Sequence, residues 1–225
     1  MTDYEKNIGY IFKSEDLREL ALSHSSYVNE NKLPQTENNE RLEFLGDAVL
    51  ELVTTDYLYA AYPDLLEGEL TKLRASVVCE PKLAKCSRAL SLGTFLKMGK
   101  GEENTGGRER ESILSDMFEA TIGGIYLDGG YEPAKEFILK NLEPEIKFMR
   151  SRFLQYDAKT SLQEILQRNG PAAIEYRVIS ETGPEHEKIF EVTVSNGGEV
   201  LGKGEGKNKK EAEQNAAAMA LKAFL

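Results

Sequence analysis

The chain has 225 residues and a formal net charge of −10, and its length allows one to two domains. This acidic total argues by itself against a nucleic-acid-binding protein, although a total says nothing about local charge. No apolar run approaches the length of a membrane span, so we expect a soluble chain without a membrane partner.

The cysteines and histidines narrow the location and the chemistry. Cys79 and Cys86 occur in a chain without an apolar leader, which predicts buried or half-buried free thiols and a cytoplasmic location. The only histidines, His24 and His186, lie in different predicted domains, and the chain has no Ser-His-Asp set, which disfavours a histidine-based hydrolase mechanism. His24 lies in a predicted helix, where we interpret it as a structural hydrogen-bonding residue.

The first informative segment predicts a helix with two chemically different sides. At about 100° per residue, Glu40, Glu43 and Asp47 fall on one narrow stripe, which also carries Glu51. The apolar residues of the opposite side are Leu42, Leu45, Val49, Leu52 and Val53. A solvated acidic face is the commoner explanation of such a stripe, so this helix alone does not predict a site.

A second helical segment, residues 111–126, makes the acidic stripe more informative. Asp116 and Glu119 are one turn apart on a helix that is apolar around most of its circumference. Carboxylates near a packed surface are costly unless hydrogen bonds or a cation compensate them. Because oxygen ligands on two facing helices suit Mg²⁺ or Mn²⁺, the acids of the two helices together predict a divalent-metal site.

The pattern alternates helical segments with short polar breaks through most of the chain, which predicts an all-α domain at residues 1–149. Its longest break, Gly99–Arg110, is rich in glycine. The glycine spacing does not fit a phosphate-binding loop, and we expect a flexible surface loop. The apolar periodicity weakens over residues 150–157, where we place a linker.

Residues 158–225 predict a small α+β domain with the element order α-β-β-β-α, and Thr160 is expected to cap its first helix. Two alternating segments predict strands, with the apolar positions Ile174, Tyr176 and Val178 in the first and Phe190, Val192 and Val194 in the second. The turn at 196–198 precedes a third strand at 199–203, and a final helix covers 209–224. One side of that helix carries alanine, at Ala212, Ala216, Ala220 and Ala223.

The segment Glu40–Asp47, with the sequence ERLEFLGD, resembles the signature motif of bacterial ribonuclease III, the double-stranded-RNA endonuclease. The similarity extends to three further stretches, His24–Tyr27, Glu67–Ala75 and Gly107–Asp116. Together with the C-terminal domain, the resemblance covers nearly the whole chain.

The resemblance implies which acids act in the reaction. The positions implied to bind metal are Glu43, Asp47, Asp116 and Glu119. Asp47 and Glu119 correspond to the most critical, catalytic pair, whereas Glu40 and Glu67 match acidic positions that line the cleavage valley. Mg²⁺ is the implied cofactor, with Mn²⁺ as a substitute, and the implied reaction is hydrolysis of a phosphodiester bond by water.

The order of elements after residue 158 resembles that of the double-stranded RNA-binding domain. The implied RNA-contacting residues are Thr160, Gln163, His186, Lys207, Lys209 and Lys210. A-form RNA is recognised through 2′-hydroxyl groups and phosphates across its minor grooves, and lysines at a helix N-terminus suit phosphates. Because DNA lacks the 2′-hydroxyl group, we expect no DNA partner. Asn208 stands where serine is commoner, and asparagine also caps helices well.

The resemblance further implies a homodimer whose two centres make staggered cuts with 5′-phosphate and 3′-hydroxyl ends. The implied roles are processing of ribosomal RNA precursors and of messenger RNA. Phe44 lies beside the acidic stripe, and our hypothesis is that it anchors the dimer. Two alternatives stay open: a non-catalytic scaffold that binds double-stranded RNA, which the complete acidic set disfavours, and a metal-dependent hydrolase of another substrate, which the RNA-binding motif disfavours.

Overall fold

The computed structural model describes residues 1–156, 158–167, 171–184 and 188–224. The chain divides into two compact units, Met1–Lys147 and Phe148–Leu225. The predicted domain boundaries, with a linker at 150–157, stay predictions; the helix that starts at Tyr131 continues to Tyr156. Among the described residues, no helix is both long enough and apolar enough to cross a membrane.

The first unit is helical, which confirms the all-α prediction. Its helices are α1 (Asp3–Ile8), α2 (Glu15–Ala21), α3 (Ser25–Glu30), α4 (Glu40–Ala61), α5 (Glu67–Val77), α6 (Glu80–Ala89), α7 (Lys100–Asn104) and α8 (Glu111–Gly129), and α9 (Tyr131–Tyr156) begins in this unit and ends beyond its boundary at Lys147. The two predicted acidic segments are therefore α4 and α8, and this pair of helices makes the most extensive contact among the described elements.

α4 and α8 cross at a contact between their main chains. A Cβ atom at Gly46 would lie 1.8 Å from the carbonyl oxygen of Glu119, and one at Gly123 would lie 2.2 Å from that of Leu42. Only glycine fits at either position, because any other residue would overlap the opposite main chain. α8 is buried around much of its circumference, as predicted, and Phe118 is fully buried. The crossing therefore holds the acids of the two helices at a fixed separation.

Three details of this unit differ from the sequence prediction. Leu52 was predicted on the apolar side of α4, but its side chain is 58 % exposed. A helical wheel shows which residues share a side, and it cannot show which part of that side another helix covers. The segment Gly99–Arg110 is not a loop: it contains α7 and a 3₁₀ turn, and a Cβ atom at Gly99 would lie 2.7 Å from the carbonyl oxygen of Ser26. His24 precedes α3 and caps it, since its Nδ1 accepts a hydrogen bond from the Ser26 N–H at 3.2 Å.

The second unit has the predicted element order, with α10 (Ala158–Gln167), β1 (Ile174–Thr182), β2 (Ile189–Asn196), β3 (Glu199–Gly206) and α11 (Lys209–Leu221). The strands form an antiparallel sheet in the order β1-β2-β3. Val192 and Val194 are fully buried, and Ile174, Tyr176 and Phe190 pack against them, as predicted. Val178, predicted on the same face, is 39 % exposed, because it lies next to an irregularity in the pairing of β1 with β2. Left-handed φ angles of 58° at Gly197 and 91° at Gly198 build the tight turn between β2 and β3.

α11 lies directly on β3 because both surfaces carry small residues. A Cβ atom at Gly204 would lie 2.1 Å from the main-chain nitrogen of Ala216, and one at Gly202 would lie 2.5 Å from the Ala216 carbonyl oxygen. Ala212, Ala216 and Ala220 are fully buried, which confirms that the alanine side of this helix faces the sheet. The small residues on both elements thus set the thickness of this core.

Three boundaries in this unit differ from the prediction. α10 begins two residues before Thr160, which lies in the first turn of the helix instead of capping it. β3 continues past its predicted end to Gly206, because it remains paired with β2. α11 ends at Leu221, which leaves Ala223 exposed beyond the helix.

Candidate metal centre and nucleic-acid interface

Three of the predicted metal-binding carboxylates converge. Glu43 of α4 and Asp116 and Glu119 of α8 each offer a carboxylate oxygen that lies within 4.8 Å of the others. All three side chains are half-buried beside the contact at Gly46. The sequence predicts that acids of these two helices form one site, and the packing of α4 against α8 brings these three together.

The carboxyl groups of this cluster hold protons more tightly than ordinary acids. Burial, together with the charges of Asp47 and Asp116, raises the pKa of Glu119 to about 8. Burial and the charge of Asp116 also raise the pKa of Glu43 to about 7, and burial raises the pKa of Asp116. These shifts arise because desolvation and like charges both disfavour the ionised form. A divalent cation is therefore the group whose charge and oxygen preference fit this cluster.

Two further predicted acids border the converging group without belonging to it. Asp47 is exposed, and its charge contributes to the raised pKa values of Glu43 and Glu119. The charge of Glu40 likewise raises the pKa values of Glu43 and Asp116. Both side chains therefore lie close enough to act electrostatically on the candidate metal centre.

Glu67 is placed differently. It begins α5, is exposed, and accepts a hydrogen bond from the Thr71 hydroxyl at 3.1 Å. Its carboxylate is not a member of the converging group within this chain. Instead it lines a groove between α4 and α5, together with Thr55, Tyr59 and Arg74.

Buried hydrogen bonds fix the start of α4 and with it the acidic stripe. Asn38 and Asn39 are both 3 % exposed. The Asn38 side-chain oxygen accepts a hydrogen bond from the Glu40 N–H at 3.1 Å, and the Asn39 N–H donates to the Ser23 carbonyl oxygen at 2.8 Å. Burial lowers the pKa of His24, which favours the neutral ring that caps α3. These contacts support a structural role for this segment.

One acid near the centre was not predicted from the sequence. Glu80 is exposed at the first position of α6, and its charge contributes to the raised pKa of Asp116. In the sequence Glu80 precedes Pro81 and resembles an ordinary helix start, where acids and proline are both favoured. Only the packing of α6 against α8 reveals that its charge reaches the centre.

In the second unit, the structure brings together several residues predicted to contact RNA. Thr160 and Gln163 of α10 and Lys210 of α11 line one surface cavity. Lys159 lines it too and was not predicted: its ammonium group lies 4.3 Å from the centre of the Tyr176 ring. Its sequence neighbourhood gives no signal, because the cation–π contact depends on the packing of α10 against β1.

The predicted lysine group lies at the N-terminus of α11. Lys207, Lys209 and Lys210 are all exposed. Asn208 caps this helix as predicted, because its side-chain oxygen accepts a hydrogen bond from the Glu211 N–H at 2.9 Å. The cap leaves the lysine ammonium groups at a helix end that favours anions. His186, which was also predicted to contact RNA, lies outside the described residues.

Comparison with known protein families agrees with both units. A family model described as "Ribonuclease-III-like" matches residues 14–146, and one described as "Double-stranded RNA binding motif" matches residues 158–223. The first match contains all the predicted metal-binding acids, and the second contains all the predicted RNA-contacting residues.

Full-length relatives and solved structures extend this agreement. The chain is 51 % identical to Ribonuclease 3 of Pelotomaculum thermopropionicum, over 98 % of this chain and 92 % of the relative, and 47 % identical to Ribonuclease 3 of Listeria monocytogenes, over 97 % and 95 %. The nuclease domain of ribonuclease III from Campylobacter jejuni matches with a TM-score of 0.59 and 46 % identity, over 63 % of this chain and 95 % of that domain. Dicer from Pichia stipitis matches with a TM-score of 0.50 and 28 % identity, over 94 % and 95 %. The chain therefore belongs to the ribonuclease III family.

Proposed function

We propose that this protein is a divalent-metal-dependent endoribonuclease that cuts double-stranded RNA. The convergence of Glu43, Asp116 and Glu119 is the observation that carries the proposal. The relatives named Ribonuclease 3, which cover nearly the whole chain, support the same reaction. Processing of ribosomal RNA precursors and messenger RNA in the cytoplasm is part of this proposal.

The proposed ion is Mg²⁺, with Mn²⁺ as a substitute. The converging ligands are carboxylate oxygens, which suit both ions, whereas the described part of the chain offers no cysteine or histidine in the same group. Divalent ions at such a site activate water for attack on phosphorus and neutralise charge on the transferred phosphoryl group.

The residues of this chain hold the reacting groups in place. Glu43, Asp116 and Glu119 are the proposed ligands that converge. Asp47, which is exposed and lies about one turn after Glu43 on α4, is the fourth proposed ligand. The main chain of Glu119 is fixed against Gly46, which immediately precedes Asp47. Asp47 and Glu119 are the proposed critical pair on the basis of the family resemblance. Departure of the 3′ oxygen gives 5′-phosphate and 3′-hydroxyl ends.

The second unit is the proposed binding surface for the duplex. Thr160 and Gln163 supply groups suited to 2′-hydroxyl contacts, and Lys207, Lys209 and Lys210 supply charge for phosphates. His186 belongs to this proposed set on the basis of its sequence motif. Since 2′-hydroxyl contacts are absent from DNA, the proposal excludes DNA as a substrate.

An exposed apolar stripe on α4 supports a homodimer. Phe44 is 81 % exposed and Tyr59 is 76 % exposed, and they share one side of the helix with Leu52. Tyr59 also lines the groove between α4 and α5. Large exposed apolar side chains on one helix side are typical of a protein interface. The similar domain from C. jejuni has a region involved in dimer formation.

The dimer is tested by replacing Phe44 with alanine. Phe44→Ala removes the most exposed large aromatic side chain of the stripe, so we expect monomers at micromolar concentration in sedimentation velocity experiments. Ile11→Ala is the matched control, since Ile11 is 60 % exposed in the segment between α1 and α2 and lies outside the stripe. A Phe44→Ala protein that remains as dimeric as wild type would contradict the proposed interface.

The reaction is tested by a gel assay of purified protein on end-labelled double-stranded RNA, with Mg²⁺ or with EDTA. Matched double-stranded DNA and single-stranded RNA serve as substrate controls. We expect Mg²⁺-dependent cutting of the RNA duplex alone. Binding of the duplex without cutting, in either Mg²⁺ or Mn²⁺, would replace this proposal with the non-catalytic scaffold.

A further inference from the structure

The acidic stripe of α4 continues beyond the proposed metal ligands. Glu43, Asp47 and Glu51 follow one another at intervals of four residues and share one side of the helix. The charge of Glu51 contributes to the raised pKa of Glu119, so its carboxylate lies within electrostatic reach of the centre. Nevertheless Glu51 does not belong to the group of converging carboxylates.

The carboxylate of Glu51 pairs with an arginine of the neighbouring helix α5. Arg74, in the last turn of α5, forms an ion pair with Glu51, with 2.8 Å between Nε and Oε2. Its terminal nitrogen donates a hydrogen bond to the Thr55 hydroxyl at 2.8 Å, and that hydroxyl donates to the Glu51 carbonyl oxygen at 2.6 Å. The guanidinium group is therefore fixed at two points along one turn of α4, which the planar fork of arginine permits.

The ion pair is worth little as a contribution to folding. Arg74 and Glu51 keep 35 % and 37 % of their side-chain surface exposed, and water and salt screen the attraction within such partly solvated pairs. The positive charge of Arg74 has a larger consequence. It cancels the negative charge of Glu51, which lies on the same side of α4 as the proposed metal ligands Glu43 and Asp47. Arg74 thus limits the number of carboxylates that compete for a cation.

We propose that Arg74 is a positioning residue that neutralises Glu51 and holds its carboxylate away from the metal centre. This inference rests on the metal-dependent function proposed above. It assigns a role to a residue pair that lies outside the converging ligands. It also links the centre to α5, the helix that starts at Glu67.

The test is a cycle of variants of the full chain, with Mn²⁺ binding measured by calorimetry without RNA. Arg74→Met leaves the charge of Glu51 unbalanced, so we expect Mn²⁺ to bind about three- to tenfold more tightly. Glu51→Gln leaves Arg74 unbalanced, and we expect binding to weaken by about the same factor. The double variant has the wild-type net charge and should bind within about twofold of wild type.

Two controls separate positioning from general packing. Arg74→Lys keeps the charge, so it should bind Mn²⁺ like wild type. Lys135→Met breaks another ion pair of α4, the 2.8 Å contact between Lys135 and Asp56, on a different side of the helix, and should leave Mn²⁺ affinity unchanged. Arg74→Met should also cut RNA more slowly at saturating Mg²⁺, and the double variant should recover.

The two single variants are expected to change Mn²⁺ affinity in opposite directions, and this contrast tests the inference. If Arg74 only packs α5 against α4, the double variant will resemble Arg74→Met, and Glu51→Gln will bind Mn²⁺ like wild type. Either result overturns the inference. Since the Arg74→Met substitution is present in both the single and the double variant, recovery cannot come from repair of the groove. Failure of this cycle in a protein that still cuts double-stranded RNA would leave the proposed function intact.

Discussion

Both units bring a helix against its neighbour through glycine, but the close contact serves different purposes. In the first unit, Gly46 of α4 lies against the main chain of Glu119, whose side chain is one of the converging carboxylates. In the second unit, Gly204 of β3 lies against Ala216 of α11, and the predicted RNA-contacting lysines occupy other, exposed positions. Core and site coincide in the first unit and are separate in the second.

This difference determines how the residues of each site affect the stability of their unit. Glu43 and Glu119 are half-buried, and their raised pKa values show that their ionised forms are disfavoured in the fold. Lys207 and Lys210 are exposed, so their charges remain solvated. Substitutions at the first site should therefore change stability and activity together, whereas those at the second should change RNA affinity alone.

Gly46→Ala is expected to break the first site most completely. The added Cβ atom would lie 1.8 Å from the carbonyl oxygen of Glu119, so α4 and α8 must separate. We expect the free energy of unfolding, measured by urea denaturation, to fall by about 3 kcal/mol or more. Mn²⁺ binding and RNA cleavage should be lost with it, because the separation moves Glu43 away from Asp116 and Glu119.

Gly68→Ala is the matched control for this change. Gly68 lies within α5, and a Cβ atom there would meet nothing within 4 Å. Alanine in an exposed helix is favoured over glycine by about 0.5–1 kcal/mol, so this variant should be as stable as wild type or more stable. Equal stabilities of the two variants would mean that the main-chain contact at Gly46 is wrong.

Glu119→Gln should separate catalysis from RNA binding. Glutamine keeps the shape of the side chain but removes a charge that binds the cation, so we expect cleavage to fall at least about 10³-fold. Duplex RNA affinity should remain, because the proposed binding residues belong to the second unit. Glu136→Gln, an exposed acid on α9, is the control and should cut normally. Wild-type cleavage by Glu119→Gln would contradict its assignment.

The elements of both sites were predictable because they depend on local periodicity. Helical spacing places Glu43 and Asp47 on one side of α4, and strand alternation places Val192 and Val194 on the inner face of the sheet. These patterns act within a single element. They establish which side chains share a face, although they do not establish what that face meets.

The residues that were not predicted depend on contacts between elements. Glu80 reaches the centre because α6 packs against α8, and Arg74 reaches Glu51 because α5 lies beside α4. Leu52 is exposed although it belongs to the apolar side of its helix. The spacing of residues within one element carries no information about contacts between elements. The charges that surround the centre can therefore be identified only from the structure.

The raised pKa values at the first site predict how the stability of the protein depends on pH. Folded Glu119 and Glu43 have pKa values of about 8 and about 7, above the ordinary value of 4.5. Their contribution to stability is therefore fully present below pH 4.5 and is lost as the pH rises through 7 and 8, because the unfolded chain releases these protons more easily. A divalent ion bound to the ionised forms should reverse this loss.

Thermal unfolding in EDTA and in Mg²⁺ at about pH 6 and about pH 8.5 measures this effect. We expect the increase in melting temperature on adding Mg²⁺ to be larger at the higher pH, because the ligands are then ionised. Glu119→Gln should reduce the difference between the two pH values. A Mg²⁺ effect that is the same at both would show that these carboxyl groups do not bind the ion.

The double substitution Lys207→Ala and Lys210→Ala should give the smallest change in the protein itself and a clear change in binding. Both lysines are exposed beside the N-terminus of α11, so the melting temperature should stay the same. Loss of two phosphate contacts should weaken duplex RNA binding about tenfold and reduce its salt dependence by about two in log–log slope. Lys222→Ala, at the opposite end of α11, is the control and should bind normally. If the double variant instead unfolds more easily at unchanged affinity, core and site are not separate in the second unit, and the contrast between the two units fails.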